Sequence, residues 1–202
     1  VEAGDLRIRE RLRAEGAEAV WASVRASTTD DAWSRRAALV DLTSVESLAR
    51  RHGLRFVVPS DPEWPSALAD LDGSEPVQQW GGAPLGLWVK GSASLAELAA
   101  DAVAVVGCRA STAYGERVAT ELAAGLAEGG TTVVSGGAFG IDAAAHRGAL
   151  AADGPTLAVM AGGLDRFYPS ANTSLLEGVA EHSLVIAESP PGTPPSRRRF
   201  LT

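Results

Sequence analysis

Cysteine is almost absent from this sequence, since Cys108 is the only one among 202 residues. A single thiol cannot form an intramolecular disulfide, and the usual zinc-binding motifs need several cysteine or histidine residues at short spacing. The chain has only three histidines, far apart from one another. The sequence therefore predicts no disulfide and no metal site, and nothing in it predicts a bound cofactor.

Long apolar runs are also missing. No stretch approaches the length that spans a bilayer, and the first sixteen residues, VEAGDLRIRERLRAEG, are charged where a signal peptide would be apolar. We therefore expect no membrane association and a cytoplasmic location. The sequence lacks an initiator methionine and stops just after a basic run, which we interpret as a fragment cut at both ends.

The common nucleotide-binding motifs are incomplete. No lysine follows Lys90, which excludes a P-loop in the second half of the chain. A dinucleotide fingerprint fits poorly, because Arg109 stands where the second glycine of G-x-G-x-x-G must let a pyrophosphate approach. The GGxxG segment, formed by Gly136, Gly137 and Gly140, still suits the binding of one phosphate by backbone N–H groups at the start of a helix.

What the sequence does contain, from residue 101 onward, is an α/β pattern. Short β-branched runs at 103–106, 131–135, 157–160 and 184–187 alternate with helical segments, as parallel βαβ units require. In the first helix Val118, Leu122 and Leu126 are spaced four residues apart, with Ala119, Ala123 and Ala127 beside them, so we expect one narrow apolar stripe that lies close on the sheet. Ser170 or Asn172 is the expected cap of the third helix. The pattern predicts an open, doubly wound, mostly parallel sheet.

The first 53 residues have a different character, because they read as several short helices. We predict a small helical domain over residues 1–53, whose ordinary interpretation is a docking module, and an α/β domain over residues 54–202. Two short runs, Phe56 to Val58 and LGLWVKG, are predicted edge strands of the main sheet.

Glycines follow the predicted strands, at the edge where an open parallel sheet binds its ligands. The aromatic residues of this half gather in loops at the same edge, beside arginines. These aromatic residues are Tyr114, Phe139, Phe167, Tyr168 and Phe200. Rings that stack on bases and guanidinium groups that contact phosphates are typical of single-stranded nucleic-acid sites. Residues 101–202 carry ten acidic side chains and seven arginines, a net charge of −3, so phosphate binding would have to be local.

Asp142 and His146 lie four residues apart on one face of the second predicted helix. Neither has a serine or cysteine partner at a position that would suit a nucleophilic triad. We interpret Asp142 as a helix cap and loop brace, and His146 as a second structural brace. No residue is predicted to be catalytic.

Four segments resemble the DNA-processing protein A family, also called DprA or Smf. They occur in the family's order and spacing: VAVVGCRASTAYG, TTVVSGGAFGIDAAAH, TLAVMAGGLDRFYP and ESPPGTPPSRRRF. The likeness runs from about Phe56 to Thr202, and the helical N-terminus resembles the family's SAM-like domain loosely. The resemblance implies a Rossmann-like core that binds single-stranded DNA, forms a homodimer when full length, and loads the RecA recombinase during natural transformation without catalysing a reaction.

Two family motifs fall on identifiable residues. Gly-Ser/Thr-Arg corresponds to Gly107, Cys108 and Arg109, and Ser-Gly-x-Ala-x-Gly-Ile-Asp begins at Ser135. Phe139 stands where members often carry a basic residue. The Phe-x-x-Arg-Asn-Arg motif starts at Phe200 and is truncated after Thr202. The predicted nucleic-acid-binding residues are Gly107, Cys108, Arg109, Ser135, Gly136, Gly137, Phe139, Gly140, Arg166, Arg197, Arg198, Arg199 and Phe200.

Two other functions compete with DNA binding. Nucleoside-monophosphate phosphoribohydrolases have a similar glycine-rich Rossmann core, but their PGGxGTxxE catalytic loop has no counterpart here, because AGGLDRFYP places Asp165 where that pattern needs Gly-Thr. A purely structural docking module would leave the arginines at the sheet edge without a role. We therefore predict a DNA-binding protein that is not an enzyme.

Overall fold

The computed structural model describes residues 5–75, 81–196 and 199. The helices are α1 Leu6–Glu15, α2 Ala17–Ala26, α3 Ala32–Leu39, α4 Leu42–Arg51, α5 Leu95–Ala100, α6 Ala113–Glu128, α7 Ile141–Ala151 and α8 Thr173–His182. The strands are β1 Leu54–Val57, β2 Leu87–Lys90, β3 Ala102–Ala104, β4 Thr132–Gly136, β5 Thr156–Met160 and β6 Leu184–Ala187. Short 3₁₀ turns cover Ser66–Gly73 and Ser170–Asn172.

The strands form one six-stranded sheet in the order β1-β2-β6-β5-β4-β3. The strands β3 to β6 pair in parallel, with Val103 opposite Val133 and Ser135 opposite Ala158. The strand β2 pairs antiparallel with both β6 and β1. The predicted α/β class and the Rossmann-like, mostly parallel sheet are confirmed. The prediction of edge strands is right for β1 and wrong for β2, which lies between two neighbours.

Aspartate side chains set the starts of three N-terminal helices. The carboxylates of Asp5, Asp31 and Asp41 accept hydrogen bonds from the first free backbone N–H groups of α1, α3 and α4. Ile8 and Val20 belong to a small apolar core that α1, α2 and α3 form together. These contacts explain why residues 6–39 form helices that pack on one another.

The N-terminal helices are joined to the rest of the chain by an ion pair whose guanidinium side is buried. The Arg9 side chain is only 7% exposed and pairs with Asp72, in the 3₁₀ turn. Asp72 also pairs with Arg13 and accepts a hydrogen bond from the Ala83 N–H. The attraction of two guanidinium groups and this N–H lower the pKa of the Asp72 carboxyl.

The helix α6 faces the sheet with alanine instead of the larger apolar side chains. Ala119, Ala123 and Ala127 are buried against α7 and β4, whereas Val118 is 41% and Leu122 is 53% exposed. The alanines of the predicted stripe are therefore its buried part, and Val118 and Leu122 lie at its exposed edge. Small side chains let α6 lie close to α7, where Gly148 abuts the backbone of Thr120.

Within the described residues, no helix has the combination of length and apolar character that a membrane crossing requires.

Candidate nucleic-acid interface

The loops that follow the parallel strands share one edge of the sheet. Because β3, β4, β5 and β6 run in the same direction, their carboxyl ends point the same way. The loops that begin at Val105, Gly137, Ala161 and Glu188 therefore emerge side by side. This arrangement brings most of the predicted site residues to a single edge.

The loop after β3 and the loop after β4 touch each other through glycine. Gly140 has a φ of 76°, and a Cβ placed there would come within 2.3 Å of the Cys108 carbonyl oxygen. A Cβ on Gly107 would meet the Ile141 side chain at 2.6 Å. The Ile141 N–H donates to the Cys108 carbonyl at 3.3 Å. A side chain at either glycine would separate the two loops.

Asp142 lies beneath both loops. Its carboxyl group faces the backbone N–H groups of Gly107, in the first loop, and Ala138, in the second. Burial raises the pKa of this carboxyl, and the two N–H donors and the charge of Arg109 oppose that effect. The contacts are those of a brace between loops, in addition to a position in the first turn of α7.

Ser135 is buried at the end of β4. Its hydroxyl lies 2.6 Å from the Val105 carbonyl oxygen and within hydrogen-bonding reach of Asp142. The side chain is therefore engaged inside the fold, below the surface that Arg109 occupies. Its position suits a supporting role better than direct contact with a ligand.

His146 is fully buried and makes two hydrogen bonds. Its Nε2 lies 2.9 Å from the Gly136 carbonyl oxygen, and its Nδ1 lies 2.8 Å from the Thr156 hydroxyl. A carbonyl can only accept, so Nε2 carries the proton in the neutral ring. The Thr156 hydroxyl lies between Nδ1 and the Val133 carbonyl oxygen, which is 2.9 Å away, and it has one proton for these two acceptors. Burial lowers the pKa of His146 to about 4, which keeps the ring neutral near pH 7.

Asn172 makes contacts that the sequence did not predict. Its Nδ2 donates to the Gly137 carbonyl at 3.0 Å and to the Ala138 carbonyl at 3.1 Å. Asn172 occupies the expected N-cap position of α8, but its side chain makes no capping hydrogen bond there. An asparagine just before a helix has a cap as its ordinary interpretation, so no local signal distinguishes the two roles. The same is true of Thr156, a β-branched residue that opens a strand.

Arg109 and Phe139 project from the two braced loops. Arg109, like its neighbour Cys108, is exposed, and the Phe139 side chain is 47% exposed. Tyr114 stands nearby in chain order, in the first turn of α6, and is 69% exposed with the Arg117 guanidinium 5.8 Å from its ring centre. An exposed guanidinium and exposed rings on adjoining loops are the elements of a phosphate-and-base site.

The loop after β5 uses its aromatic residues differently. Phe167 is buried in the core, with the Lys90 ammonium 4.8 Å from its ring centre, so it does not belong to the exposed group that the sequence predicted. Arg166 and Tyr168 remain exposed and line a small hollow together with Gly162, Gly163 and Pro195.

Asp165 joins this loop to the proline-rich segment after β6. Its Oδ1 accepts a hydrogen bond from the Gly192 N–H at 2.6 Å, and the Gly163 N–H donates to the Thr193 carbonyl at 2.9 Å. The Arg199 guanidinium donates to the Pro194 carbonyl at 3.0 Å. The predicted contacts by Arg197, Arg198 and Phe200 lie outside the described residues. In the part of the chain that is described, no three His, Cys, Asp or Glu side chains form a group that could hold a metal ion.

Solved structures of known proteins resemble this fold. The X-ray structure of DNA processing protein A from Streptococcus pneumoniae matches 96% of this chain and 65% of its own, with a TM-score of 0.73 and 30% sequence identity. A structure of DNA processing protein A from Helicobacter pylori, solved to explain that protein's single-stranded DNA binding mode, matches 73% of this chain and 61% of its own, with a TM-score of 0.58 and 27% identity.

Sequence comparisons agree with the structural ones. A DNA processing protein DprA of Mycobacterium tuberculosis is 52% identical over 160 residues, which cover 78% of this chain and 41% of that protein. The chain thus spans about two fifths of the length of this curated relative. The family described as DNA recombination-mediator protein A matches residues 55–202. Since that match covers well over half of the sequence, the chain belongs to the DNA recombination-mediator protein A family, whose members carry the names DprA and Smf.

Proposed function

We propose that this protein binds single-stranded DNA along the carboxyl edge of its parallel sheet. In this proposal Arg109, Arg166 and the arginines at 197–199 contact phosphates, while Phe139 and Phe200 stack on bases. The protein would protect incoming DNA and load the RecA recombinase during natural transformation, as a DNA-binding protein without catalytic activity. It would form a homodimer when full length, and its location would be cytoplasmic.

The observation that carries the proposal is the position of Phe139. Phe139 is a half-exposed phenylalanine on a glycine-rich loop, and the next residue, Gly140, abuts the backbone of the exposed Arg109. Exposed aromatic rings beside guanidinium groups suit bases and phosphates of an unpaired strand, because every base offers a face for stacking. The relative from Helicobacter pylori, which binds single-stranded DNA, supports the same assignment.

Charge limits how this binding would work. The whole chain has a formal net charge of −7, so its overall field repels DNA. Attraction would come from local arginines, and the affinity should fall as salt rises because each neutralised phosphate releases counterions. A protein of this type depends on its stacking residues more than a strongly basic one does.

The enzyme alternative finds little support in the same loops. Asp165, which replaces the Gly-Thr of a phosphoribohydrolase catalytic loop, accepts a hydrogen bond from the Gly192 N–H. Asp142 and His146 are engaged by backbone and threonine groups. None of these three side chains is placed as a base beside an open ligand site.

The proposal is tested by fluorescence anisotropy with a labelled oligo-dT at about 50 mM and about 200 mM salt. We expect binding that weakens as salt rises, and weaker binding to a duplex of the same length. A parallel assay follows release of free base from nucleoside monophosphates, where we expect no product. Absence of oligo-dT binding at the lower salt concentration, or catalytic release of base, would overturn the proposal.

The proposed loading of RecA needs its own measurement. RecA ATPase activity is followed on single-stranded DNA that has been coated with single-strand binding protein. We expect this protein to shorten the lag before ATP hydrolysis, and the Arg109→Ala variant to shorten it less. If this protein binds DNA but does not shorten the lag, the proposed loading of RecA is wrong and the proposed DNA binding still stands.

A further inference from the structure

The loop Gly137–Gly140 is held by its carbonyl groups. Three successive carbonyl oxygens accept hydrogen bonds from buried side chains: Gly136 from His146, and both Gly137 and Ala138 from Asn172. His146 has no exposed surface and Asn172 is 5% exposed. The donors come from α7 and from the turn before α8, so elements on both sides of the loop fix its backbone.

The direction of these carbonyls determines the direction of the N–H groups. In a trans peptide the C=O and the following N–H point to opposite sides. The Gly137 carbonyl turns toward Asn172, and the Ala138 N–H of the same peptide faces the Asp142 carboxyl group on the other side. The Ala138 carbonyl also turns toward Asn172, which directs the Phe139 N–H away from it. The backbone orientation at Phe139 therefore depends on Asn172.

We propose that Asn172 is a positioning residue for the DNA site, which holds the glycine loop so that Phe139 faces the bound strand. This proposal rests on the proposed function and adds a residue that lies outside both sequence motifs of the site. Asn172 itself does not touch DNA in this account. It acts through the carbonyls of Gly137 and Ala138.

The first test uses the protein without DNA. Amide hydrogen exchange at Ala138, measured by NMR, reports whether the loop opens. In Asn172→Ala we expect exchange at Ala138 to become about tenfold faster or more, because two hydrogen bonds to the loop are lost. Val179→Ala is the matched control, since Val179 is fully buried on α8 but packs in the apolar core. In Val179→Ala, the rate of exchange at Ala138 should change only in proportion to the change in global stability.

The second test uses oligo-dT anisotropy. We expect Asn172→Ala to weaken binding about tenfold, because a displaced Phe139 ring no longer stacks on a base. The salt dependence of binding should stay the same, because the substitution removes no phosphate contact. Asn172→Gln keeps an N–H donor on a longer side chain and should recover part of the affinity. If Asn172→Ala does not fold, Asn172→Gln and Asn172→Asp replace it in both tests. The aspartate side chain has the same size as asparagine but lacks both amide protons.

The outcomes separate the two proposals. If the wild-type protein does not bind oligo-dT, the proposed function fails, and the exchange experiment still decides whether Asn172 orders the loop. If the wild type binds and Asn172→Ala binds equally well, Asn172 does not position the site. If the exchange rate at Ala138 in Asn172→Ala rises only in proportion to the loss of global stability, as in the Val179→Ala control, the proposal is also overturned.

Discussion

The loop after β4 and the loop after β5 lie at one sheet edge, yet they use their aromatic residues in opposite ways. The β4 loop is fixed by polar groups, namely Asp142, His146 and Asn172, and its Phe139 is exposed. The β5 loop buries Phe167 among apolar side chains and leaves the neighbouring Tyr168 exposed. A ring that holds its own loop in the core is not available for a ligand, whereas Phe139, whose loop is held through backbone groups, is available.

The largest expected effect concerns stability. Phe167→Ala should lower the free energy of unfolding by about 3–5 kcal/mol, because it leaves a cavity in the core. Phe139→Ala should change it by no more than about 0.5 kcal/mol, as expected for an exposed side chain. Urea unfolding followed by circular dichroism measures both. Equal losses from the two variants would break the contrast between the loops.

The pH dependence of stability tests the polar fixation of the β4 loop. His146 binds a proton near pH 6.5 when unfolded and near 4 when folded, so the unfolded state holds more protons between these values. Stability should therefore fall as pH drops from about 6.5 to about 4, by up to about 3 kcal/mol, and level off below.

The control for this pH effect is His146→Gln, which keeps an N–H donor for the Gly136 carbonyl and does not titrate. The free energy of unfolding of this variant should not show the decrease between pH 6.5 and 4 that the histidine causes in the wild type. The raised pKa of Asp142 acts with the opposite sign and is common to both proteins. Identical pH profiles for the variant and the wild type would contradict the buried, neutral histidine.

The third prediction concerns stacking. Phe139→Ala should weaken oligo-dT binding by about 1–3 kcal/mol, the range for loss of one base–aromatic contact. Phe139→Tyr keeps the ring and should bind nearly as well as the wild type. Anisotropy titrations at one salt concentration measure the difference. A loss far below this range would mean that the exposed ring has no ligand function.

The smallest effect is a change in salt dependence. Arg109→Ala should reduce the slope of log affinity against log salt by about one, because one phosphate contact is lost. The loss should be similar for all sequences, since phosphates carry no base identity. Arg51→Ala, on α4 and exposed, changes the net charge equally and should leave the slope unchanged. The same slope for both variants would remove Arg109 from the site.

A corresponding comparison applies to the β5 loop. Arg166 lies beside Tyr168 at the small hollow, next to the buried Phe167. If the bound strand extends from the β4 loop across this hollow, Arg166→Ala should also lower the salt slope by about one. An unchanged slope would confine the DNA to the β3 and β4 loops.

The sequence predicted the positions of the strands and glycine loops well, because their signals are local. A β-branched run followed by glycine defines a strand end wherever it occurs. The periodicity of α6 could not tell which part of its apolar stripe is buried, because Val118 and Ala119 both fit the helix period, and only the close approach of α7 selects the alanines. The role of Asn172 could not be predicted, since its acceptors lie 34 and 35 residues earlier in the chain.

By itself, the sequence determined the α/β class, the order of its elements and the family, since periodicity, turn residues and motifs are properties of neighbouring residues. Only the tertiary structure decided which ring faces solvent and which polar groups hold the site. Phe139 and Phe167 follow similar glycine-containing segments, and their difference arises from what lies beneath each loop. Burial depends on contacts between distant segments, and a linear pattern contains no record of them.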